Sequence, residues 1–147
     1  MGEEYLDQIA AECLVGRIRA LNRIVSGIFD AKLRPYGVRS SQINILTVVA
    51  LKGPIAPAGV CRRLQLERST LSRDMERLVE NGWITSTPGV GRGLLLEPTD
   101  KGLALLRTLK PAWDEAQAET VARLGPDLVR ELYQASEDGR LGDLEDD

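Results

Sequence analysis

Apolar positions along this 147-residue chain recur mostly at three- and four-residue spacing, the mark of helices with one buried side. The first stripe, Leu6, Ile9, Cys13, Leu21 and Ile28, is widened by Ile18, Ile24 and Val25. It predicts one long helix from Glu4 to Leu33, with Arg17, Arg19 and Arg23 off its centre and a break at Pro35 and Gly37. Ser40 is placed to cap a second helix, Ser41 to Leu51, ending at Gly53-Pro54. Its run Ile43, Ile45, Leu46, Val48, Val49 is apolar nearly all round and should be buried. A short helix follows from Pro57, a residue suited to a first helical turn, to Leu64. The next runs from Arg68 to Glu80 and stops at Asn81-Gly82.

The period then changes. Trp83–Thr87 and Leu94–Glu97 flank Pro88-Gly89-Val90-Gly91-Arg92-Gly93, which predicts a two-stranded hairpin around a glycine-rich loop. Thr99 caps a long helix to about Leu124, with a kink expected at Pro111. Gly125-Pro126 restarts a last helix through Leu128, Leu132 and Tyr133 to Ser136, and the acidic stretch 137–147 is expected to be disordered. The chain therefore predicts one mainly α domain with a small β-hairpin.

A short helix, a tight connection, a second helix and a hairpin, in that order, make a winged helix-turn-helix over residues 40–99. In that arrangement the outer face of the second helix enters the major groove. Stepping about 100° per residue from Ser69 puts Leu71, Met75, Leu78 and Val79 on one side. Ser69, Thr70, Arg73 and Arg77 fall on the other, flanked by Glu76 and Glu80. Arginine can bond guanine bidentately, and small hydroxyls serve bases or phosphates without bulk. Taken alone, such a face is more often an ordinary solvated surface. The hairpin directly after it, with Arg92 near its tip, favours a wing that tracks the DNA backbone or minor groove. Ser69, Thr70 and Arg73 are then the candidates for reading sequence, and Arg63, Arg77 and Arg92 for neutralising phosphate.

Charge agrees once it is resolved along the chain. The net charge is −3, yet Lys52 to Arg92 holds seven cations against four anions, while the stretch from Asp127 onward holds eight carboxylates against Arg130 and Arg140. A local basic region is what a nucleic-acid footprint requires. Aromatics make up only 4% of the residues, so the core must be aliphatic. Histidine is absent, which removes the commonest general base and metal ligand, and two cysteines alone cannot build a zinc site. No motif implies a cofactor, a metal or catalysis. No apolar run approaches the roughly 20 residues of a membrane span. The acidic Met1-Gly2-Glu3-Glu4-Tyr5 lacks a secretory pattern, so a cytoplasmic location with no membrane partner is expected.

Four segments carry a resemblance: Leu33-Arg34-Pro35-Tyr36-Gly37-Val38 with Gln42; Leu66-Glu67-Arg68-Ser69-Thr70-Leu71-Ser72-Arg73; Leu78-Val79-Glu80-Asn81-Gly82-Trp83-Ile84; and Thr99-Asp100-Lys101-Gly102. Together they resemble the MarR (multiple-antibiotic-resistance regulator) family. The resemblance implies a homodimer on a pseudo-palindromic duplex operator, usually a repressor released by a small ligand or by oxidation. The terminal helices, residues 4–33 and 100–136, are the expected dimerisation elements, because their apolar stripes exceed what so small a core can cover; an ordinary intramolecular bundle is the alternative. Two departures from the family pattern stand out. Val90 replaces the aspartate that commonly braces the wing arginine, and Pro98 replaces an apolar strand residue. Some relatives sense peroxide through a first-helix cysteine near the position of Cys13, although the matching tyrosine positions here hold Phe29 and Ser40. Cys13 is thus a candidate redox thiol, weighed against a buried structural one. A winged-helix adaptor that binds proteins instead of DNA is the competing function.

Overall fold

The computed structural model describes residues 2–91 and 93–142. In chain order come α1 (Glu3–Glu12), α2 (Leu14–Leu33), a 3-10 turn (Arg34–Tyr36), α3 (Ser40–Lys52), α4 (Pro57–Leu64) and α5 (Arg68–Glu80). Strands β1 (Ile84–Pro88) and β2 (Leu94–Pro98), then α6 (Asp100–Leu124) and α7 (Pro126–Glu137), complete it. The mainly helical fold with one antiparallel hairpin is the one expected, with Thr85 opposite Glu97 and Thr87 opposite Leu95 in the register.

Leu33, Ile45, Leu46, Val49, Val60, Leu71, Leu78, Ile84 and Leu96 are sealed from solvent and form the centre of the core. They come from α2, α3, α4, α5 and both strands, so the reading-head elements share one aliphatic cluster. The hairpin is tied to the helices by a further antiparallel bridge. Ile55 donates its N–H to the Leu96 carbonyl at 3.0 Å and accepts from the Leu96 N–H at 2.8 Å. Sequence patterning gave no sign of this third strand-like partner, because Ile55 stands alone between Pro54 and Ala56.

A polar node fixes the end of α5 against the start of α6. Gly82 adopts a left-handed φ of 74°, which turns the chain out of α5. The Thr99 hydroxyl donates to the Gly82 carbonyl at 2.5 Å and accepts from the Gly102 N–H at 3.0 Å. The Thr99 N–H donates to the Trp83 carbonyl at 3.1 Å, and Lys101 Nζ donates to the Asn81 carbonyl at 2.6 Å. A Cβ on Gly102 would stand 2.1 Å from the Trp83 carbonyl oxygen, so α6 can approach this closely only through glycine.

Several boundaries differ from expectation. The first helix is broken: Cys13 is extended (φ −65°, ψ 108°) and separates α1 from α2. Periodicity could not show this, because the apolar stripe continues across the break. No residue of α1 is buried, so nothing in the chain's own core holds it in line with α2. Helix α3 starts one residue early, with Arg39 at its cap position. The Gln42 side chain accepts from the Arg39 N–H at 3.0 Å, and Asp30 accepts from the Ser40 N–H at 2.8 Å, which leaves Ser40 inside the helix. Helix α6, by contrast, runs to Leu124 with Pro111 inside it, as expected; the proline removes one hydrogen-bonded rung without ending the helix. In the tail expected to be disordered from residue 137, Glu137 still belongs to α7. Residues 138–142 form turns held by Leu141 N–H to the Ala135 carbonyl and Gly142 N–H to the Gly139 carbonyl; residues 143–147 lie outside the described residues.

Two stability measurements check this architecture, each by chemical denaturation at fixed protein concentration. Leu71→Ala should cost about 2–5 kcal/mol, as for a fully buried leucine. Val79→Ala, at a position 40% exposed, should cost well under half as much. Thr99→Val should lose about 1–2 kcal/mol through the missing cap, with Thr99→Ser recovering most of it.

Candidate nucleic-acid interface

The chemistry of the interface follows from the rotational phase of α5. Leu71 and Leu78, seven residues or two turns apart, are both fully buried, and Met75 between them is half-buried. A helix held by those positions must turn Ser69, Thr70, Ser72, Arg73, Glu76 and Arg77 to solvent, and all six are exposed. Ser69, Thr70, Arg73 and Arg77 therefore share one outward surface, as the sequence predicted. Val79 was assigned to the buried side but lies at its margin, one position beyond the Leu71–Leu78 line.

Arg63 does not join them. It is only 9% exposed, on the inward side of α4 with Val60, and is engaged within the fold. Helical phase accounts for this: Val60 and Arg63 are three apart and share a helical face, so the exposed arginine of α4 is the adjacent Arg62. Arg63 is accordingly withdrawn as a phosphate contact.

Arg92 lies outside the described residues. The wing around it is defined up to its neighbours. Gly89 donates its N–H to the Gly93 carbonyl at 2.7 Å, Gly91 takes a φ of 79°, and Val90 projects entirely into solvent at 103% relative exposure. Among the described residues, the Val90 side chain meets no partner.

A feature that sequence reasoning missed lies beside α5. A groove of about 780 Å³ runs between its C-terminal half and the junction of α2 with α3, placing Arg34 and Arg39 on one wall and Arg73, Glu76, Arg77 and Glu80 on the other. The only signal in the sequence was the pair of arginines bracketing Pro35-Tyr36-Gly37-Val38, whose proximity to α5 depends on tertiary packing.

The other candidate elements form a second unit. Helix α2 packs along α6, where Phe29 meets Trp113 edge-on at 6.4 Å between ring centroids, and α7 folds back on α6 with Gln117 donating to the Tyr133 hydroxyl at 2.7 Å. This intramolecular packing leaves much of the apolar stripe uncovered. Tyr5, Leu6, Ile9, Leu14, Val15 and Ile18 are all exposed, and an apolar cleft of about 310 Å³ remains between Leu21 and Val25 of α2, Val121 of α6, and Val129 and Leu132 of α7. Cys13 sits half-buried at the α1–α2 break and Cys61 half-buried against the core; both are free thiols. Among the described residues no helix is long and apolar enough to cross a membrane, and no cluster of metal-ligating side chains occurs.

Comparison with known proteins agrees with this geometry. The sequence profile described as MarR family matches residues 36–93, the span from the α2–α3 junction through the wing. The crystal structure of the M. tuberculosis transcriptional regulator MosR in complex with DNA is 31% identical. The match covers 86% of this chain and 98% of that one, with a TM-score of 0.73. CouR from Rhodococcus jostii RHA1, solved bound to p-coumaroyl-CoA, shares the fold at 19% identity, 93% and 97% coverage and a TM-score of 0.73. An uncharacterised HTH-type transcriptional regulator of Bacillus subtilis (strain 168), YwoH, is 30% identical over 76 residues, 52% of this chain and 56% of that protein. The match spans between 56% and 62% of the length of the curated relatives.

Proposed function

This chain belongs to the MarR family, and from that premise we propose that it is a sequence-specific duplex-DNA-binding transcriptional regulator. In this reading it acts by binding rather than catalysis, in the cytoplasm, as a homodimeric repressor on a pseudo-palindromic operator. The observation that carries the reading is the outward face of α5. Two buried leucines lock the helix so that Ser69, Thr70, Arg73 and Arg77 project together, on a head whose hairpin lies directly beyond it. Ser69, Thr70 and Arg73 read base edges, and Arg77 and Arg92 hold phosphates. The structural relative solved in complex with DNA supports the DNA-binding reading.

The second copy supplies what the first leaves bare. Exposed apolar residues on α1, on the first turns of α2 and at Leu128 and Tyr133 of α7 are surface that one chain does not bury. Pairing through them places two α5 helices on one duplex, related by a two-fold axis. Release by a small ligand is supported by CouR, a fold relative solved with p-coumaroyl-CoA. An oxidative route is assigned to Cys13, the half-buried thiol at the α1–α2 break.

The direct test is a mobility shift of the DNA flanking the chain's own gene, titrated with salt. A salt-sensitive complex is expected; its absence would instead favour the protein-binding adaptor. Arg73→Ala should cost roughly 1–3 kcal/mol and relax sequence preference. Arg92→Ala should weaken all duplexes alike and reduce the salt slope by about 0.9. Equal losses of specificity from both would refute this division of labour. In solution the chain should weigh as a dimer by light scattering. Val15→Asp with Ile18→Asp, at positions already exposed in one chain, should yield a folded monomer whose DNA affinity falls by about 10²-fold or more.

A further inference from the structure

Four arginines converge on the groove beside α5, and among the described residues none of them forms an ion pair, although three carboxylates line the same space. Arg34 leaves the end of α2 in the 3-10 turn and Arg39 stands at the cap position of α3. Both are exposed, as are Arg73 and Arg77 on the facing wall. The acidic side is accounted for differently. Asp30 accepts from the Ser40 N–H at 2.8 Å and so holds the α2–α3 junction in place, while Glu76 and Glu80 remain on the α5 wall without an arginine partner. The groove thus presents more cationic than anionic groups, with its guanidiniums uncommitted. Guanidiniums match the fork geometry of phosphate oxygens.

We infer that Arg34 and Arg39 form a phosphate clamp on the duplex, extending the DNA footprint from α5 onto the α2–α3 junction. This rests on the DNA-binding reading above and names a contact outside both the reading helix and the wing. The argument is one of continuity. Arg73 and Arg77 belong at once to the outward face of α5 and to the groove, so a duplex seated on Ser69 and Thr70 runs past the groove mouth. B-DNA's major groove is about 12 Å wide, so the sugar-phosphate strand bounding it follows the flank of an inserted helix, and that flank is where Arg34 and Arg39 stand. The groove is open-sided and its arginines are solvent-exposed, which suits a polyanion passing along it. The buried Gln42 of the groove is tied to the α3 terminus through its amide oxygen, which accepts the Arg39 N–H. The backbone N–H groups of Arg39 and Ser40 are likewise taken by Gln42 and Asp30, so the clamp depends on side chains and not on the helix terminus.

The test uses the full chain and two 40-base-pair duplexes, one selected by the wild type from a random pool and one of shuffled sequence. Binding is followed by fluorescence anisotropy between 50 and 200 mM salt. Each phosphate contact contributes about 0.9 to the slope of log affinity against log salt. Arg34→Ala with Arg39→Ala should therefore flatten it by about 1.8 on both duplexes, leaving the ratio of their affinities unchanged. Arg34→Lys with Arg39→Lys should keep most of the slope, and Arg123→Ala, in the last turn of α6, should leave it as in the wild type. An unaltered slope in the double alanine variant, with thermal unfolding as in the wild type, overturns the clamp alone; failure of the wild type to select any duplex overturns the DNA reading itself. Normal DNA binding with lost sensitivity to added salicylate would reassign the groove to a small carboxylate and equally overturn the clamp.

Discussion

The orientation of one helix about its own axis governs everything this molecule offers to a partner. Leu71 and Leu78 are fixed in the aliphatic core by α3, α4 and the hairpin, and a helix admits no independent choice for the residues between them. Burying those two leucines commits the hydroxyls and guanidiniums of α5 to the opposite side. Slipping the sequence of α5 by a single position would rotate every side chain by about 100° and take the arginines out of alignment. The core therefore acts as the positioning device of the interface, and its aliphatic composition suits that role because close-packed interiors resist small displacements.

Charge is arranged to the same end. The chain is acidic overall, yet α4, α5, the α2–α3 junction and the wing carry eight of its 19 cations, while eight of its 22 carboxylates lie from Asp127 onward. Local fields, rather than the charge summed over the chain, steer the approach to a polyanion. Net charge alone would have pointed the other way.

How much could be read beforehand depended on whether the governing physics was local. The limits of α5, the left-handed turn at Gly82, the hairpin and the cap at Thr99 all follow from residue chemistry within a few positions, and the sequence shows them. The exposed quartet on α5 follows from helical phase and was equally legible. The break at Cys13 was hidden because an apolar stripe looks the same on one helix or on two. Arg63 was misjudged because residue type was weighed above phase: an arginine three places from Val60 sits on the inward side whatever its charge. The meeting of Arg34 and Arg39 with α5 was out of reach, since it arises from how two helices cross and from no pattern along either. Arg92, the wing residue of most interest, falls outside the described residues.

The hydroxyl of Thr99 gives the fold a mechanical property. It joins Gly82, just past the end of the reading helix, to the first turn of α6, whose far end belongs to the unit left partly uncovered in the single chain. Helix α6 has 25 residues, roughly 37 Å at 1.5 Å per residue, so it behaves as a lever with its short arm clamped to the DNA-facing head. A pivot of a few degrees at that clamp corresponds to about 2 Å of travel at the distal tip, on the scale of helix shifts known at subunit interfaces. Distant rearrangements are in this way geared to the pitch of the reading helix.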